Sequence, residues 1–326
     1  MLPIQPGRWR RSSTTGRSSV ILVSGGTGFV GSAIVRELVR RGERVAVLGR
    51  DGAKARERFG DTVEAREGDV RLPDTLPAAM QGVDVVINSV QFPNSPIENR
   101  RKGWTFEEVD LKGTRNQVDA AKAAGVRRFV YLSGVGASKE SDKHWFRYKW
   151  EAEKYLQDSG IEWVIIRPTW VYGPGDVSLN RFLGFGKLLP FIPMFGNGKQ
   201  DMQPVFIDDV GRVTADAALR PEAANKLFEL GGPEVLSMND VVKTALDVQG
   251  KRRRLLHQPA MAGKTIGAIT SILPRRPLTP DAIDFITEPA VADNTLLNEV
   301  LHPHLTPLRE ALATYLAGAQ LPDTAG

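Results

Sequence analysis

Residues 20–32 read VILVSGGTGFVGS, an apolar run that passes into glycines and then into an amphipathic stretch. The run is typical of a buried strand, and residues 29–41 carry the apolar spacing of a helix. Gly25 allows a tight turn, Gly28 lets the backbone approach a phosphate, and Gly31 lets the helix pack closely on the strand. Free N–H groups at the helix start favour an anion. The stretch therefore predicts a strand–turn–helix unit that binds the pyrophosphate of a dinucleotide.

Six residues of this turn are predicted to contact the nucleotide. The glycines remove side chains from the path of the phosphates, and the N–H groups of the first helical turn point towards them. A P-loop is excluded because no lysine follows Gly31. The predicted contact residues are Gly25, Thr27, Gly28, Phe29, Val30 and Gly31.

From residue 20 onward, short apolar runs alternate with amphipathic stretches, which is typical of βαβ units and a parallel sheet. Several runs, such as the one at 84–88, are continuous, as expected where helices cover both faces of a sheet. Predicted strands cover 20–24, 44–48, 63–66, 84–89, 128–133, 163–167 and 226–230. Predicted helices cover 29–41, 53–59, 76–81, 106–124 and 143–159.

The same pattern divides the chain into a nucleotide-binding domain and a smaller region on the substrate or partner side. After Pro174 the alternation gives way to segments rich in glycine, proline and aromatic residues, such as 189–196, which are predicted as loops. The predicted bounds are 20–175 with 204–232 for the binding domain, 176–203 with 233–326 for the smaller region, and 1–19 for a basic disordered tail.

Composition excludes several kinds of site. The 326 residues include no cysteine, which excludes disulfides, zinc–thiolate sites and thiol nucleophiles, and the four histidines show no metal-ligand spacing, so no metal site is predicted. The formal charge of +5 is modest and local, which argues against nucleic-acid binding. No apolar run is long enough to span a bilayer as a helix.

Arg50 decides the expected form of the nucleotide. It follows the second predicted strand, where an NAD-selective site carries an acid for the ribose 2′-hydroxyl. A guanidinium there pairs with the 2′-phosphate of NADP. NADP(H) is therefore the predicted cofactor, and NAD(H) stays open because Arg50 is also consistent with a solvated loop residue.

These residues resemble the short-chain dehydrogenase/reductase superfamily in its extended-to-atypical, epimerase/dehydratase-like branch. The resemblance covers about 20–232 and implies an α/β Rossmann fold, a doubly wound parallel sheet with a smaller discontinuous C-terminal region. Two later segments are similar to the atypical group related to the dehydrogenase-like accessory subunit of respiratory complex I. The similar segments are 24–31, 68–70, 88–89, 111–116 and 167–175 for the branch, and 202–210 with 230–236 for the atypical group.

The resemblance also implies nucleotide contacts outside the turn. Asp69 matches the residue that lies against the adenine in the family. The other implied contacts are Val70, Ser89, Ser133, Lys149 and Pro168.

In active members of the family, a Tyr and a Lys four residues apart share one helix face, and the Lys lowers the pKa of the Tyr. When 144–153 are aligned with that helix, Lys149 takes the position of the family's Lys and Trp145 takes the position of its Tyr. Gly134 takes the position of the family's Ser, with Ser133 one residue early. Because an indole is neither acid nor base near neutral pH, the standard relay is absent in this alignment.

Tyr148 is the substitute that the helix offers. Neighbouring helix residues point about 100° apart, which turns Tyr148 away from the face of Trp145 and Lys149. A rotated helix or shifted register would restore it, so the candidate catalytic residues are Lys149 and Tyr148, with a packing or surface role as the favoured alternative for Tyr148.

Two functions stay open at this point. The first is an NADP(H)-binding accessory subunit or divergent oxidoreductase; the second is an active NAD(P)-dependent reductase or epimerase that uses Tyr148 and Lys149 on a small carbonyl or sugar-like substrate. The apolar stretch with basic flanks at 251–276 is consistent with contact with a protein partner or a membrane surface, but its pattern favours a core-packing helix with solvated basic ends. The expected location is cytoplasmic or peripheral to the inner face of a membrane, or the mitochondrial matrix if 1–19 is a transit peptide.

Overall fold

The computed structural model of the chain describes residues 19–180, 183–184, 189–270 and 279–317. Residues 1–18 of the predicted tail, and Arg275 and Arg276 of the predicted contact surface, lie outside them. In chain order the strands are β1 Val20–Ser24, β2 Arg44–Gly49, β3 Glu64–Glu67, β4 Val85–Asn88, β5 Arg128–Leu132, β6 Glu162–Pro168, β7 Val171–Tyr172, β8 Phe191–Phe195, β9 Asp201–Met202, β10 Val205–Phe206, β11 Lys226–Leu230, β12 Leu236–Ser237 and β13 Arg254–Gln258.

The helices are α1 Phe29–Arg40, α2 Gly52–Phe59, α3 Leu76–Met80, α4 Gly113–Ala123, α5 His144–Gln157, α6 Ile207–Leu219, α7 Met238–Val248, α8 Ala260–Thr270, α9 Pro280–Thr287, α10 Thr295–Val300 and α11 Leu308–Leu316. A π-helical segment, Phe106–Lys112, runs directly into α4. It divides the helix predicted over 106–124 in two, and such segments are frequent at functional sites.

The main sheet has seven parallel strands in the order β11-β6-β5-β4-β1-β2-β3. The order reverses between β1 and β4, which are neighbours. In doubly wound sheets a ligand binds at the carboxyl ends of the strands at this reversal. The predicted α/β Rossmann class, with a smaller C-terminal region, is confirmed.

Strand residues alternate between two apolar layers, as the period of a strand requires. In β1, Ile21 and Val23 join a cluster with α1 and α6, whereas Val20 and Leu22 join a cluster with α3, α4 and α5. Helices therefore cover both faces of the sheet, which explains the continuous apolar runs of its central strands. The carboxyl ends of those strands lie along one edge of the sheet, and the candidate site lies at that edge.

The smaller region contains a strand where the sequence pattern predicted a loop. Residues 189–196 were predicted as a loop, but Phe191–Phe195 is a strand, β8, paired in parallel with β13. Pro193 is tolerated because this small sheet has only two strands, so one side of each needs no N–H donor. Ile192 and Met194 alternate into a cluster with α7 and α11.

The C-terminal part of the chain also returns to the main body. Leu297 and Leu301, from α10 and the residue after it, pack into the same cluster as α1 and α6. The smaller region and the sheet therefore share core, and the domain bounds drawn from the sequence stay a prediction. No helix in the described ranges is long and apolar enough to cross a membrane.

Candidate functional site

The glycine turn lies between β1 and α1, against the start of the loop after β4. Gly25 has φ +74°, and a Cβ there would lie 2.9 Å from the carbonyl oxygen of Ser89. A Cβ on Gly31 would lie 2.2 Å from the carbonyl oxygen of Gly25, so α1 approaches the turn too closely for any side chain. Gly28 is exposed, and its N–H donates to the Gly25 oxygen at 2.9 Å. The result is a cradle that Cβ atoms would fill, which fits a pyrophosphate.

The first turn of α1 faces this cradle with free donors. Gly28 caps the helix without a side-chain hydrogen bond, and the first turn contains no acidic residue. The N–H groups there and the positive end of the helix dipole favour an anion. Phe29 and Val30 supply two of these N–H groups, while their half-buried side chains pack on the apolar core. The carbonyl oxygen of Thr27 accepts a hydrogen bond from Nη1 of Arg58 at 2.6 Å.

Arg50 directly follows β2 and Asp69 lies just after β3, and these two strands are neighbours in the sheet. Arg50 is exposed directly after β2. Asp69 accepts hydrogen bonds from Arg71, at 3.1 Å to Oδ1 and 2.6 Å to Oδ2. Burial acts to raise the pKa of Asp69, but Arg71, with a smaller contribution from Arg50, holds it below its usual value. Asp69 is therefore a carboxylate whose charge is balanced by Arg71, and Val70 beside it is buried.

Ser89 forms the floor of the turn rather than its open face. Its hydroxyl donates to the carbonyl oxygen of Ser24 at 2.8 Å, which ties the end of β4 to the end of β1. A Cβ on Gly31 would lie 2.7 Å from this hydroxyl. Ser89 therefore supports the close approach of α1.

Lys149 lies on α5 and is held by an acid on the π-helical segment. Its Nζ donates to Oδ1 of Asp110 at 2.7 Å, and the Asp110 side chain is 1% exposed. Burial acts to lower the pKa of Lys149, but its neighbours, Asp110 foremost, together raise it by more, so the ammonium stays charged; burial in turn raises the pKa of Asp110, against the opposite pull of Lys149. Because the Lys149 charge is already balanced by Asp110, less of it is available to lower the pKa of a neighbouring phenol.

Trp145 stands one turn before Lys149 and is 2% exposed. Its ring packs against Phe106, His144 and Phe285, with centroids 6.2, 5.1 and 6.3 Å away. Its Nε1 has no hydrogen-bond partner in the part of the chain that the structure describes. The place predicted for the relay tyrosine therefore holds a ring that cannot exchange a proton near neutral pH.

Gly134 faces the same lysine. A Cβ on Gly134 would lie 3.6 Å from Cδ of Lys149, an ordinary contact distance. A serine at this position would project towards Lys149, in agreement with the predicted alignment. With glycine there, the position supplies no hydroxyl.

Ser133 and Pro168 end two neighbouring strands. The Ser133 hydroxyl donates to Glu153, and the same carboxylate accepts two hydrogen bonds from Arg167, at 2.9 and 2.6 Å. The Pro168 carbonyl oxygen accepts from the N–H of Val135 at 3.1 Å. The polar group of Ser133 is thus engaged by a buried ion pair, and its predicted cofactor contact stays a prediction.

Tyr148 is half-buried and packs between two apolar clusters. Its ring lies edge-on to His144, with centroids 6.0 Å apart. It is on the same helix as Lys149 but turned away from it, as the predicted helix geometry requires. Its catalytic role stays a prediction.

Sequence reasoning missed three residues of this site. Asp110 lies between the buried Val109 and Leu111, and a charged residue in such a stretch is a signal that a buried partner exists. Glu153 is four residues after Lys149, so the helix period places the two on one face. Nothing in the sequence pattern points to Arg58 as a site residue, because only the tertiary fold brings it to Thr27.

Comparisons with known proteins agree with this geometry. Residues 25–181 match a family model described as NAD(P)H-binding. The chain is 30% identical over 274 residues to the mitochondrial NADH dehydrogenase (ubiquinone) 1 alpha subcomplex subunit 9 of Arabidopsis thaliana, covering 80% of this chain and 67% of that protein. It is 32% identical over 238 residues to the NAD(P)H azoreductase of Xenophilus azovorans, covering 71% and 74%.

A solved structure gives the same fold at lower identity. The NADPH-dependent quinone oxidoreductase of Escherichia coli, solved with NADPH, matches with a TM-score of 0.68 and 21% identity, covering 90% of this chain and 99% of that one. The predicted family resemblance is confirmed by the sequence relatives. The chain belongs to the NAD(P)H-binding, epimerase-like atypical branch of the short-chain dehydrogenase/reductase superfamily.

Proposed function

We propose that this chain holds NADP(H) as an accessory nucleotide-binding protein and performs no tyrosine-based carbonyl chemistry. The observation that carries the proposal is the buried Trp145, which the predicted helix alignment puts at the position of the family's relay tyrosine. The lysine one turn later, Lys149, is engaged by Asp110. With Gly134 at the serine position, neither a proton donor nor a hydroxyl is present at the two places where the family's relay needs them.

The proposed nucleotide site follows the carboxyl ends of β1, β2 and β3. The pyrophosphate lies on the glycine turn, the adenine beside Asp69 and the 2′-phosphate on Arg50. The close approaches at Gly25 and Gly31 support the first contact, and the exposure of Arg50 supports the last. A bound nicotinamide would supply hydride chemistry, with the protein positioning it. The other proposed contacts are Thr27, Gly28, Phe29, Val30, Val70, Ser89, Ser133, Lys149 and Pro168.

The relatives named as NADH dehydrogenase subunits support an accessory role. We propose that the partner is a protein complex, and that the location is a membrane-peripheral or mitochondrial one. The predicted contact surface at 251–276 is described up to residue 270, where Met261 and Ile269 of α8 are 70% and 64% exposed. The opposite side of α8 packs on the protein, since a Cβ on Gly263 would lie 2.5 Å from the ring of Phe195.

A second candidate function is reduction of a conjugated acceptor. The relative named NAD(P)H azoreductase favours it. A conjugated acceptor needs no protein acid when the product anion is stabilised and takes its proton from water.

The deciding experiment is extraction of the nucleotide that co-purifies with the full chain, followed by exchange. The protein is denatured, the nucleotide is identified by mass spectrometry, and fresh protein is then challenged with labelled NADP and NADPH. NADP(H) at one per chain that does not exchange supports the accessory role. The Gly28→Asp variant is the control and should purify empty, because a carboxylate there repels the pyrophosphate.

An exchanging site with NADPH oxidation in the presence of an azo dye or a quinone would replace the first proposal with the second. NADPH oxidation with a simple ketone or aldehyde would contradict both. Absence of any NADP(H) binding would reject the proposed site itself.

A further inference from the structure

A cavity of about 470 Å³ opens beside the glycine turn, between α1, the end of α2 and the start of α6. Phe29, Ser32 and Arg36 line it from one face of α1, because residues three and four apart share a helix face. Arg58 lines it from α2 and Asp208 from α6. Its volume is within the range of sites that hold small ligands. None of the predicted nucleotide contacts except Phe29 lines this cavity.

The two arginines of the cavity are available to a ligand. Arg58 uses one N–H on the carbonyl oxygen of Thr27, and a guanidinium has five N–H groups. Arg36 makes no hydrogen bond or ion pair with any residue that the structure describes. Arg40, one turn later on the same face of α1, differs from Arg36 because its guanidinium donates two hydrogen bonds to Glu37, at 2.8 and 2.7 Å.

The charge of the cavity is positive. Asp208 is its one acidic residue among the described residues, against two guanidinium groups. The first turn of α1, which borders the cavity at Phe29, contains no acid and carries the positive end of the helix dipole. The buried Ser32 adds a hydroxyl to the wall, which donates to the Phe29 carbonyl at 3.1 Å. Planar guanidinium groups in such a setting suit a phosphate, which accepts two parallel N–H bonds.

We infer that this cavity is a phosphate subsite in which Arg36 and Arg58 hold a phosphate group beside the pyrophosphate turn. The phosphate is either one of the dinucleotide's own, held jointly with the glycine turn or with Arg50, or that of a separate phosphorylated ligand. The first source rests on the proposed function and the second does not. Because Arg58 also holds Thr27, a phosphate at Arg58 is coupled to the turn through a single side chain.

The test is calorimetric titration of the full chain at low ionic strength with three probes: NADPH, inorganic phosphate, and inorganic phosphate added to NADPH-saturated protein. The variants are Arg36→Ala and Arg58→Ala. The matched controls are Arg40→Ala, on the same face of α1 but paired with Glu37, and Arg56→Ala, on α2 but outside the cavity. Loss of one charge-assisted contact should weaken phosphate binding about tenfold in each test variant and leave the controls near wild type.

The three probes separate the two sources. If Arg36→Ala and Arg58→Ala weaken NADPH binding and saturated protein takes up no phosphate, the subsite serves the dinucleotide. If NADPH binding is unchanged and saturated protein binds phosphate through both arginines, a separate ligand uses it. If the test variants and the controls lose the same phosphate affinity, the effect is one of general surface charge and the inference is overturned. Unchanged phosphate affinity in every variant also overturns it.

Failure of the inference and failure of the proposed function give different results. Wild-type protein that binds NADPH, with no variant affected, rejects only the phosphate subsite. Wild-type protein that binds phosphate through Arg36 and Arg58 but does not bind NADPH rejects only the proposed function.

Discussion

The glycine-turn half of the candidate site and its α5 half are built on opposite principles. At the glycine turn the backbone is bare, Gly28 is exposed, and Arg36, Arg50 and Arg58 stand near it as cations without ion pairs to any described residue. At α5 the equivalent space is filled: Trp145 is 2% exposed and the charge of Lys149 is already balanced. One half has donors free for a ligand, and the other has its polar groups paired inside the protein.

The difference supports the proposal that this chain keeps phosphate recognition and lacks the proton relay. Phosphate recognition needs space and unpaired donors, and both are present at the turn. Proton transfer needs a titratable group within reach of the substrate, and an indole does not titrate near neutral pH. Four changes test this comparison, from the largest expected effect to the smallest.

Lys149→Met should lower the free energy of unfolding by about 3–5 kcal/mol, because it leaves the buried Asp110 carboxylate without its cation. Denaturant unfolding of Lys149→Met, Asp110→Asn and the double variant measures the loss and the coupling between the two residues. Lys154→Met is the matched control, since Lys154 is on the same helix but its side chain is 46% exposed. If Lys149→Met lowers the free energy of unfolding no more than Lys154→Met does, the Lys149–Asp110 pair is solvated and the α5 half of the site is accessible to water.

Gly31→Ala should abolish NADPH binding and lower the free energy of unfolding by about 1–3 kcal/mol through overpacking. The new Cβ would lie 2.2 Å from the Gly25 carbonyl oxygen, so α1 has to move away from the turn. Titration with NADPH and thermal unfolding check the two effects. Gly184→Ala is the control, because a Cβ there meets no atom of the residues that the structure describes within 4 Å. Retained NADPH binding in Gly31→Ala would place the nucleotide elsewhere.

Trp145→Tyr should lower the free energy of unfolding by about 1–2 kcal/mol, because a smaller ring leaves space in a buried cluster. It should create no carbonyl reductase activity, since Lys149 remains paired and Gly134 offers no hydroxyl. Assays with NADPH and simple ketones compare it with Trp150→Tyr on the same helix and with the Trp145→Tyr/Gly134→Ser double variant. Activity in the wild type that Tyr148→Phe removes would show that the helix alignment is out of register.

Arg50→Glu should shift the ratio of the affinities for NADP and NAD towards NAD by about tenfold, which is about 1.4 kcal/mol. The effect is the smallest of the four because Arg50 is exposed and its charge is screened by solvent and salt. Binding of NADPH and NADH at two salt concentrations measures it, with Arg56→Glu on α2 as the control. Equal affinities for both nucleotides in wild type and variant would make Arg50 a solvated bystander.

The alternation of residues determined most of the fold before any tertiary information. Most predicted strands and helices lie within one or two residues of their observed bounds, because period-2 and period-3.6 patterns are local properties of the chain, although the helix predicted over 106–124 becomes α-helical only at Gly113. The exception over 189–196 is instructive: β8 exists only because β13, some sixty residues later, pairs with it. No local pattern carries information on that pairing.

The sequence by itself determined the glycine turn and the family, since each is a matter of residue type and spacing, while the alignment of Trp145 with the relay tyrosine stays a prediction. Only the tertiary structure decided that Asp110 holds Lys149, that Glu153 engages Ser133, and that Arg58 reaches Thr27. The physical reason is that an ion pair or hydrogen bond depends on distance in space. Residues 31 to 39 positions apart, such as Thr27 with Arg58 and Asp110 with Lys149, are brought within about 3 Å by the packing of helices on a sheet.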